Sequence, residues 1–135
     1  MVSILFVCTG NTCRSVMAEA LTKKQYGEQV FVKSVGLKPG TPEDTKNAME
    51  TLQIHFGINP SRHIPLGIQG LNFQDFDLVV AMDKYVAKKF KDVLPSKLLT
   101  WNIDDPYGND LEEYRRCALR INQQVSRLPI PISST

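Results

Sequence analysis

The sequence predicts an α/β fold, a single doubly wound domain whose four-stranded parallel sheet is flanked by helices on both faces. Three observations carry that expectation. Short apolar runs alternate with amphipathic stretches of helical length, as parallel strands joined by helical crossovers require. A Gly-containing loop joins the first apolar run directly to the first amphipathic stretch. The 135 residues, 42% hydrophobic and 22% charged, suit one buried core of ordinary globular composition. The domain is expected over residues 1–128, with 129–135 as a frayed tail.

The elements follow in order. Residues 2–8 form the first strand, and residues 15–26 a helix with Met17, Ala20 and Leu21 on one face, ended by Gly27. Residues 30–35 are the second strand. The Leu37-Lys38-Pro39-Gly40 turn leads to a helix whose first turn holds Pro42, Glu43 and Asp44, with Ala48, Met49, Leu52 and Phe56 facing the core. Residues 57–74, containing Pro60, Pro65, Gly67 and Gly70, form a connection longer than most and therefore a candidate functional loop. Residues 77–82 give the third strand, and Asp83 caps a helix running through Phe90. Residues 98–101 give the fourth strand. Leu111, Tyr114, Ala118, Ile121, Val125 and Leu128 mark the apolar face of the last helix, stopped by Pro129 and Pro131.

Composition narrows the function. A net charge of +2 is too small to point to nucleic acid, and no apolar stretch approaches the roughly 20 residues that span a bilayer. Two isolated histidines and no Cys-x2-Cys pair give no metal site, and nothing calls for a cofactor. Three cysteines do not make a disulfide scaffold. With no basic segment before the first apolar run, a cytoplasmic protein is expected.

The chemistry concentrates at the end of the first strand, in Val7-Cys8-Thr9-Gly10-Asn11-Thr12-Cys13-Arg14-Ser15. A strand that delivers such a loop onto a helix N-terminus points several N–H groups at one spot, where the helix dipole favours an anion. The same potential favours the thiolate of Cys8, the nucleophilic form. Arg14 offers a planar donor fork for two phosphoryl oxygens. Cys8, Ser34, Asp83 and Asp105 all fall near the C-terminal edge of the expected sheet, where open parallel sheets bind ligands.

The loop Cys8-Thr9-Gly10-Asn11-Thr12-Cys13-Arg14-Ser15, together with Asp105-Pro106-Tyr107, resembles the low-molecular-weight protein tyrosine phosphatases, and the likeness runs from residue 2 to about residue 128. The resemblance implies a cysteine-dependent phosphatase acting on a phosphorylated protein or peptide and releasing inorganic phosphate. In it Cys8 is the nucleophile that becomes a phosphocysteine, Arg14 and the loop residues Thr9, Gly10, Asn11, Thr12 and Cys13 hold the phosphoryl group, and Asp105 is the general acid and then base. Ser15 donates to the thiolate, and Tyr107 flanks the substrate. Asn11 adopts a left-handed conformation with its side chain tied to Ser34, and His63 either braces Asn11 or is simply solvated. Asp83 fixes loop groups as well as capping its helix; Asp104 assists electrostatically. Cys13 either packs or forms a reversible, protective disulfide with Cys8.

Two departures bear on the substrate. Thr12 stands where phosphotyrosine-specific members carry a bulky aliphatic residue, which resembles the bacterial protein-arginine phosphatase branch. No aromatic follows Ser34, so Tyr107 alone would wall a phenyl ring. Phosphotyrosine and phosphoarginine both remain open. The alternatives are an arsenate reductase borrowing an external thiol, since no further cysteines lie between Cys13 and Cys117, and an inactive phosphate-binding module. Cys117 and His55 are expected to be structural, and Lys84, Lys88, Lys89 and Lys91 to form an exposed face.

Overall fold

The computed structural model describes residues 1–59, 63–90 and 96–130. Pro60 and Arg62 of the long connection, Lys91, and residues 131–135 of the expected 129–135 tail lie outside the described residues, whereas Ile130, expected in that tail, is buried in the core. Four strands, β1 (Val2–Cys8), β2 (Val30–Gly36), β3 (Leu78–Ala81) and β4 (Leu98–Thr100), pair in parallel in the order β2-β1-β3-β4. The helices are α1 (Arg14–Tyr26), α2 (Lys46–Phe56), α3 (Lys84–Ala87) and α4 (Leu111–Val125).

Central β1 is buried from Ile4 to Cys8 because both of its faces are covered. Alternate residues serve opposite cores. Ile4, Phe6 and Cys8 join Met17 and Leu21 of α1, Leu52 of α2 and Tyr114, Ala118 and Ile121 of α4. Leu5 and Val7 join Val79, Ala81, Val86 and Phe90 beneath α3 and the turn after it. This is the expected three-layer α/β arrangement, with helices on both faces. Among the described residues, no helix is long and apolar enough to cross a membrane.

Differences from the expected elements have local causes. The second helix begins as a 3-10 turn at Pro42–Thr45, because Asp44 turns back to accept from the Thr41 N–H (2.9 Å) and hydroxyl (3.0 Å), and α2 starts only at Lys46. The helix after β3 is one α-turn that tightens to 3-10 geometry at Lys88–Phe90. Leu111, expected on the apolar face of α4, is 40% exposed at its first position, whereas Leu128 is buried beyond its end. β2 runs one residue further than expected, to Gly36, which pairs with Cys8. That extra residue underlies the functional loop.

Candidate active site

β1 ends at Cys8 and α1 begins at Arg14, so the five residues between them close a turn at the C-terminal edge of the sheet. No side chain caps α1, and its first turn carries no acid, which leaves the dipole's positive end facing the turn. Asn11 is the one non-glycine residue with positive φ among those described, at +54°, as expected for the left-handed position in the loop.

Hydrogen bonds around Cys8 have a defined direction. The Asn11 backbone N–H donates to the Cys8 sulfur at 3.2 Å, and Ser15 Oγ lies 2.9 Å from that sulfur. Asn11 Nδ2 donates to Ser15 Oγ at 2.9 Å, filling its acceptor side and leaving the Ser15 proton for sulfur. The opposite end of the Asn11 amide is also fixed. Its Oδ1 accepts from the Leu66 N–H at 2.9 Å and lies 3.0 Å from His63 Nε2, which is also 3.1 Å from the Asn11 carbonyl oxygen. With two acceptors facing it, Nε2 carries the ring proton. Burial pushes the His63 pKa below its ordinary value, and the bond to Asn11 opposes that shift only in part. His63 thus braces Asn11. The expected tie from Asn11 to Ser34 is not formed: Leu66 and His63 take both acceptor positions of the amide oxygen and Ser15 takes one N–H, while the Ser34 hydroxyl is buried without a protein partner among the described residues.

The residues after Ser34 hold the loop from below. Leu37 N–H donates to Cys8 O at 3.0 Å, Lys38 N–H to Thr9 O at 2.8 Å and Gly40 N–H to Gly10 O at 2.9 Å, while Gly36 N–H reaches Leu66 O at 2.8 Å. The approach is so close that a Cβ on Gly36 would stand 2.6 Å from the Asn11 nitrogen and 2.8 Å from Thr9 O. Backbone atoms cannot yield there. Gly36→Ala is therefore expected to cost about 1–3 kcal/mol by overpacking and to displace the loop. Thermal unfolding checks this: an unchanged midpoint would remove Gly36 from the support of the loop.

Arg14 is 2% exposed and enters the site from α1. Nη1 donates to Asp83 Oδ2 at 2.7 Å and to the Ile103 carbonyl at 2.8 Å, Nη2 lies 3.9 Å from Asp105 Oδ2, and Nε is buried without a protein partner. One edge of the guanidinium is anchored, while Nε has no partner among the described residues. Asp83 performs both expected tasks: Oδ1 caps α3 by accepting from the Val86 N–H at 2.8 Å while Oδ2 holds Arg14. Burial raises the Asp83 pKa, but Arg14 and the Val86 N–H outweigh it and leave it below the ordinary carboxylate value. A depressed carboxylate pKa contributes stability above the unfolded value of about 4 that is lost as pH falls through the folded pKa. Asp83→Asn should thus unfold at lower temperature than the parent at pH 7, with the gap closing below about pH 4. A gap that persisted at acid pH would contradict the ionic anchor.

Asp105 lies on the opposite wall, with its side chain 46% exposed. Its Oδ1 accepts from the Tyr107 N–H at 3.1 Å, which fixes the turn that aims Oδ2 towards Arg14. The Tyr107 side chain stands at the rim, 57% exposed, and its hydroxyl donates to Asp44 Oδ1 at 3.0 Å. That bond lowers the Asp44 pKa, as do the Thr41 contacts, and raises that of Tyr107. Asp44 was read in the sequence only as a first-turn helix residue. Its Oδ2 and the Thr12 methyl both border Gly40, since a Cβ there would meet Asp44 Oδ2 and Thr12 Cγ2 at 2.9 Å each.

The other two thiols are built into the core. Cys13 lies 3.2 Å from the Tyr114 hydroxyl, and burial raises its pKa. Cys117 donates to the Asp104 carbonyl at 3.7 Å, and burial pushes its thiol up to about 12. Asp104, expected to assist electrostatically, has an exposed side chain, and only its carbonyl is engaged in this bond. Lys84, Lys88 and Lys89 are exposed as expected, and Lys89 lines a groove together with Thr9.

Residues 3–133 match the family model described as low molecular weight phosphotyrosine protein phosphatase. Among curated proteins, the chain is 30% identical to the glutaredoxin arsenate reductase of Synechocystis sp., over 98% of this chain and all of that protein. Among solved structures, it is similar to a low molecular weight protein tyrosine phosphatase from T. tengcongensis, with 32% identity, a TM-score of 0.80, and coverage of 95% of this chain and 97% of that one. It is also similar to the YwlE arginine phosphatase from Geobacillus stearothermophilus, with 30% identity, a TM-score of 0.78, and coverage of 95% and 90%.

Proposed function

The chain belongs to the low molecular weight phosphotyrosine protein phosphatase family, and from that premise we propose that it hydrolyses a phosphorylated protein side chain, phosphotyrosine or phosphoarginine, through a phosphocysteine at Cys8. One observation carries the reading. The Cys8 sulfur accepts from two directed donors while the buried Arg14 keeps Nε without a protein partner on the same loop. Two donors at sulfur stabilise an anion there, and the loop amides with Arg14 match a phosphoryl group.

In the first step the Cys8 thiolate attacks phosphorus, the bond from phosphorus to the side-chain oxygen or nitrogen breaks, and Asp105 gives its proton to the departing atom. In the second, the Asp105 carboxylate takes a proton from water, the water oxygen attacks phosphorus, and the S–P bond breaks. Inorganic phosphate leaves and the thiolate returns, with Ser15 donating to it. Arg14 and the loop amides hold the equatorial oxygens throughout.

Thr12 is the residue that reads the leaving group. It is 6% exposed, with its methyl towards Gly40, which Asp44 also borders, and its hydroxyl 3.5 Å from the Cys13 sulfur. A hydroxyl and a nearby carboxylate suit the N–H groups of a guanidinium, which a phenol ring lacks. Similarity to a protein described as an arginine phosphatase supports the same choice. The test is kcat/KM for matched phosphotyrosine and phosphoarginine peptides. Thr12→Ile is expected to shift the ratio about tenfold or more towards phosphotyrosine, as the loss of one hydrogen bond to a charged group implies. An unchanged ratio would remove Thr12 from selection.

Arsenate reduction is favoured by one finding, the similarity to a protein named as a glutaredoxin arsenate reductase. In this chain it would require an external thiol, because Cys117 is buried and bonded to the Asp104 carbonyl. Turnover of arsenate with an added thiol and no turnover of either phosphopeptide would establish it instead.

A further inference from the structure

Beside the phosphoryl-binding loop, a groove of about 580 Å³ opens between the segment after β2 and helix α3, lined by Thr9, Leu37, Lys38, Ile68, Tyr85 and Lys89. Its volume lies within the range of built ligand sites. We propose that this groove holds the polypeptide flanking the phosphorylated residue of a protein substrate and selects a flank that carries acidic side chains next to an apolar one. The proposal rests on the phosphatase reading and adds to it the sequence context of the substrate.

Three observations carry it. The groove is continuous with the loop: Thr9, a loop residue, forms its inner end, and the Lys38 N–H donates to Thr9 O at 2.8 Å. A phosphorylated residue seated on the loop therefore sends one side of its chain across this groove. The floor is apolar and the flanks are cationic. Leu37 and Ile68 pack onto the core beneath α3 and remain partly accessible, while Tyr85 is 61% exposed, a large apolar surface for a monomer to leave in water. Lys38 stands at one side and Lys89 at the other, the latter with Nζ 5.4 Å from the centre of the Tyr85 ring. Lys84 and Lys88 add positive charge on the same short helix.

Charge is divided across the mouth. Asp44 and Asp105 are both bonded to Tyr107 at the rim and neither lines the groove, whose charged lining residues are Lys38 and Lys89. An acidic flank is drawn to the lysines and repelled from the carboxylates, which fixes the direction in which the substrate lies. Because the lysines are exposed, the attraction is screened by salt and acts on capture of the substrate rather than on the chemical step.

The experiment compares kcat/KM for paired phosphopeptides, each phosphotyrosine or phosphoarginine, with glutamates or glutamines around one leucine on either side of the phosphorylated residue. The acidic member of each pair is expected to be preferred about 3- to 10-fold at low ionic strength, through KM, with the preference shrinking in salt. Lys38→Gln with Lys89→Gln, which keeps the Lys38 N–H bonded to Thr9 O, should abolish it, while kcat for p-nitrophenyl phosphate, which has no flank, stays at the parent level. Equal use of the two peptides by the parent, or an acidic preference that survives the double substitution, would overturn the groove assignment while leaving the phosphatase reading intact. Failure to turn over both the peptides and p-nitrophenyl phosphate would overturn both.

Discussion

Cys8→Ser is expected to lower turnover of any phosphorylated substrate by at least about 10⁴-fold while the protein still binds inorganic phosphate. The cause lies in the division of labour at the loop. Binding is supplied by α1's uncapped N-terminus, the loop amides and Arg14, whose Asp83 and Ile103 contacts do not involve Cys8. Serine preserves those groups and fits the volume of the thiol. It does not sustain turnover, because a hydroxyl is a much weaker nucleophile than a thiolate and an alkoxide a much poorer leaving group, so any phosphoserine formed is not hydrolysed. Kinetics on the purified variant together with phosphate titration check both halves. Residual turnover well above background would sink the covalent route, and loss of phosphate binding would show that the sulfur shapes the loop.

The second large effect is expected at Asp105. Asp105→Asn keeps the size of the side chain and an oxygen that can accept from the Tyr107 N–H, so the turn should persist. What it removes is the proton. For aryl phosphates with poor leaving groups, kcat/KM should fall about 10²- to 10³-fold, within the span of general-acid catalysis, whereas p-nitrophenyl phosphate, whose leaving group needs little protonation, should lose far less. The quantity matters: kcat/KM reports transfer to Cys8, while kcat also contains the hydrolysis in which Asp105 is the base. Equal losses across the leaving-group series would take Asp105 out of the acid role.

How much of this was legible in the sequence follows from which interactions are local. β1 was bounded correctly, and the helix after it to within one residue, beginning at Arg14 rather than Ser15, because an uninterrupted apolar run and a 3.6-residue pattern meet at the Gly-containing loop, all within 26 residues. Asp83 could be assigned as a cap because capping is a bond to the next turn, and its second bond, to Arg14, 69 residues away, was legible only through the family resemblance. Contacts between distant segments were the ones missed. Nothing local to Gly36 says that Asn11 will lie against it, although a glycine ending a strand is itself a signal of close backbone approach. Asp44 read as a first-turn acid, and its bond to Tyr107 spans 63 residues. The Ser34 expectation failed for a related reason: both are polar groups at the right edge of the sheet, but Leu66 and His63 on the long connection reach Asn11 instead. That connection reads as a candidate functional loop from its length, and among its described residues His63 and Leu66 hold Asn11 while the Leu66 carbonyl accepts from Gly36.

The most direct test is to trap the intermediate. Asp105→Asn should be mixed with p-nitrophenyl phosphate, so that phosphoryl transfer proceeds while hydrolysis is slowed, then quenched and mapped by mass spectrometry of its peptides. The expected result is a phosphoryl group on the peptide that holds Cys8, absent from Cys8→Ala and disappearing when the chase is long enough for water to act. A phosphoryl group on a different residue, or a burst of p-nitrophenol with the Cys8 peptide unmodified throughout, would contradict Cys8 as the atom that carries the phosphoryl group.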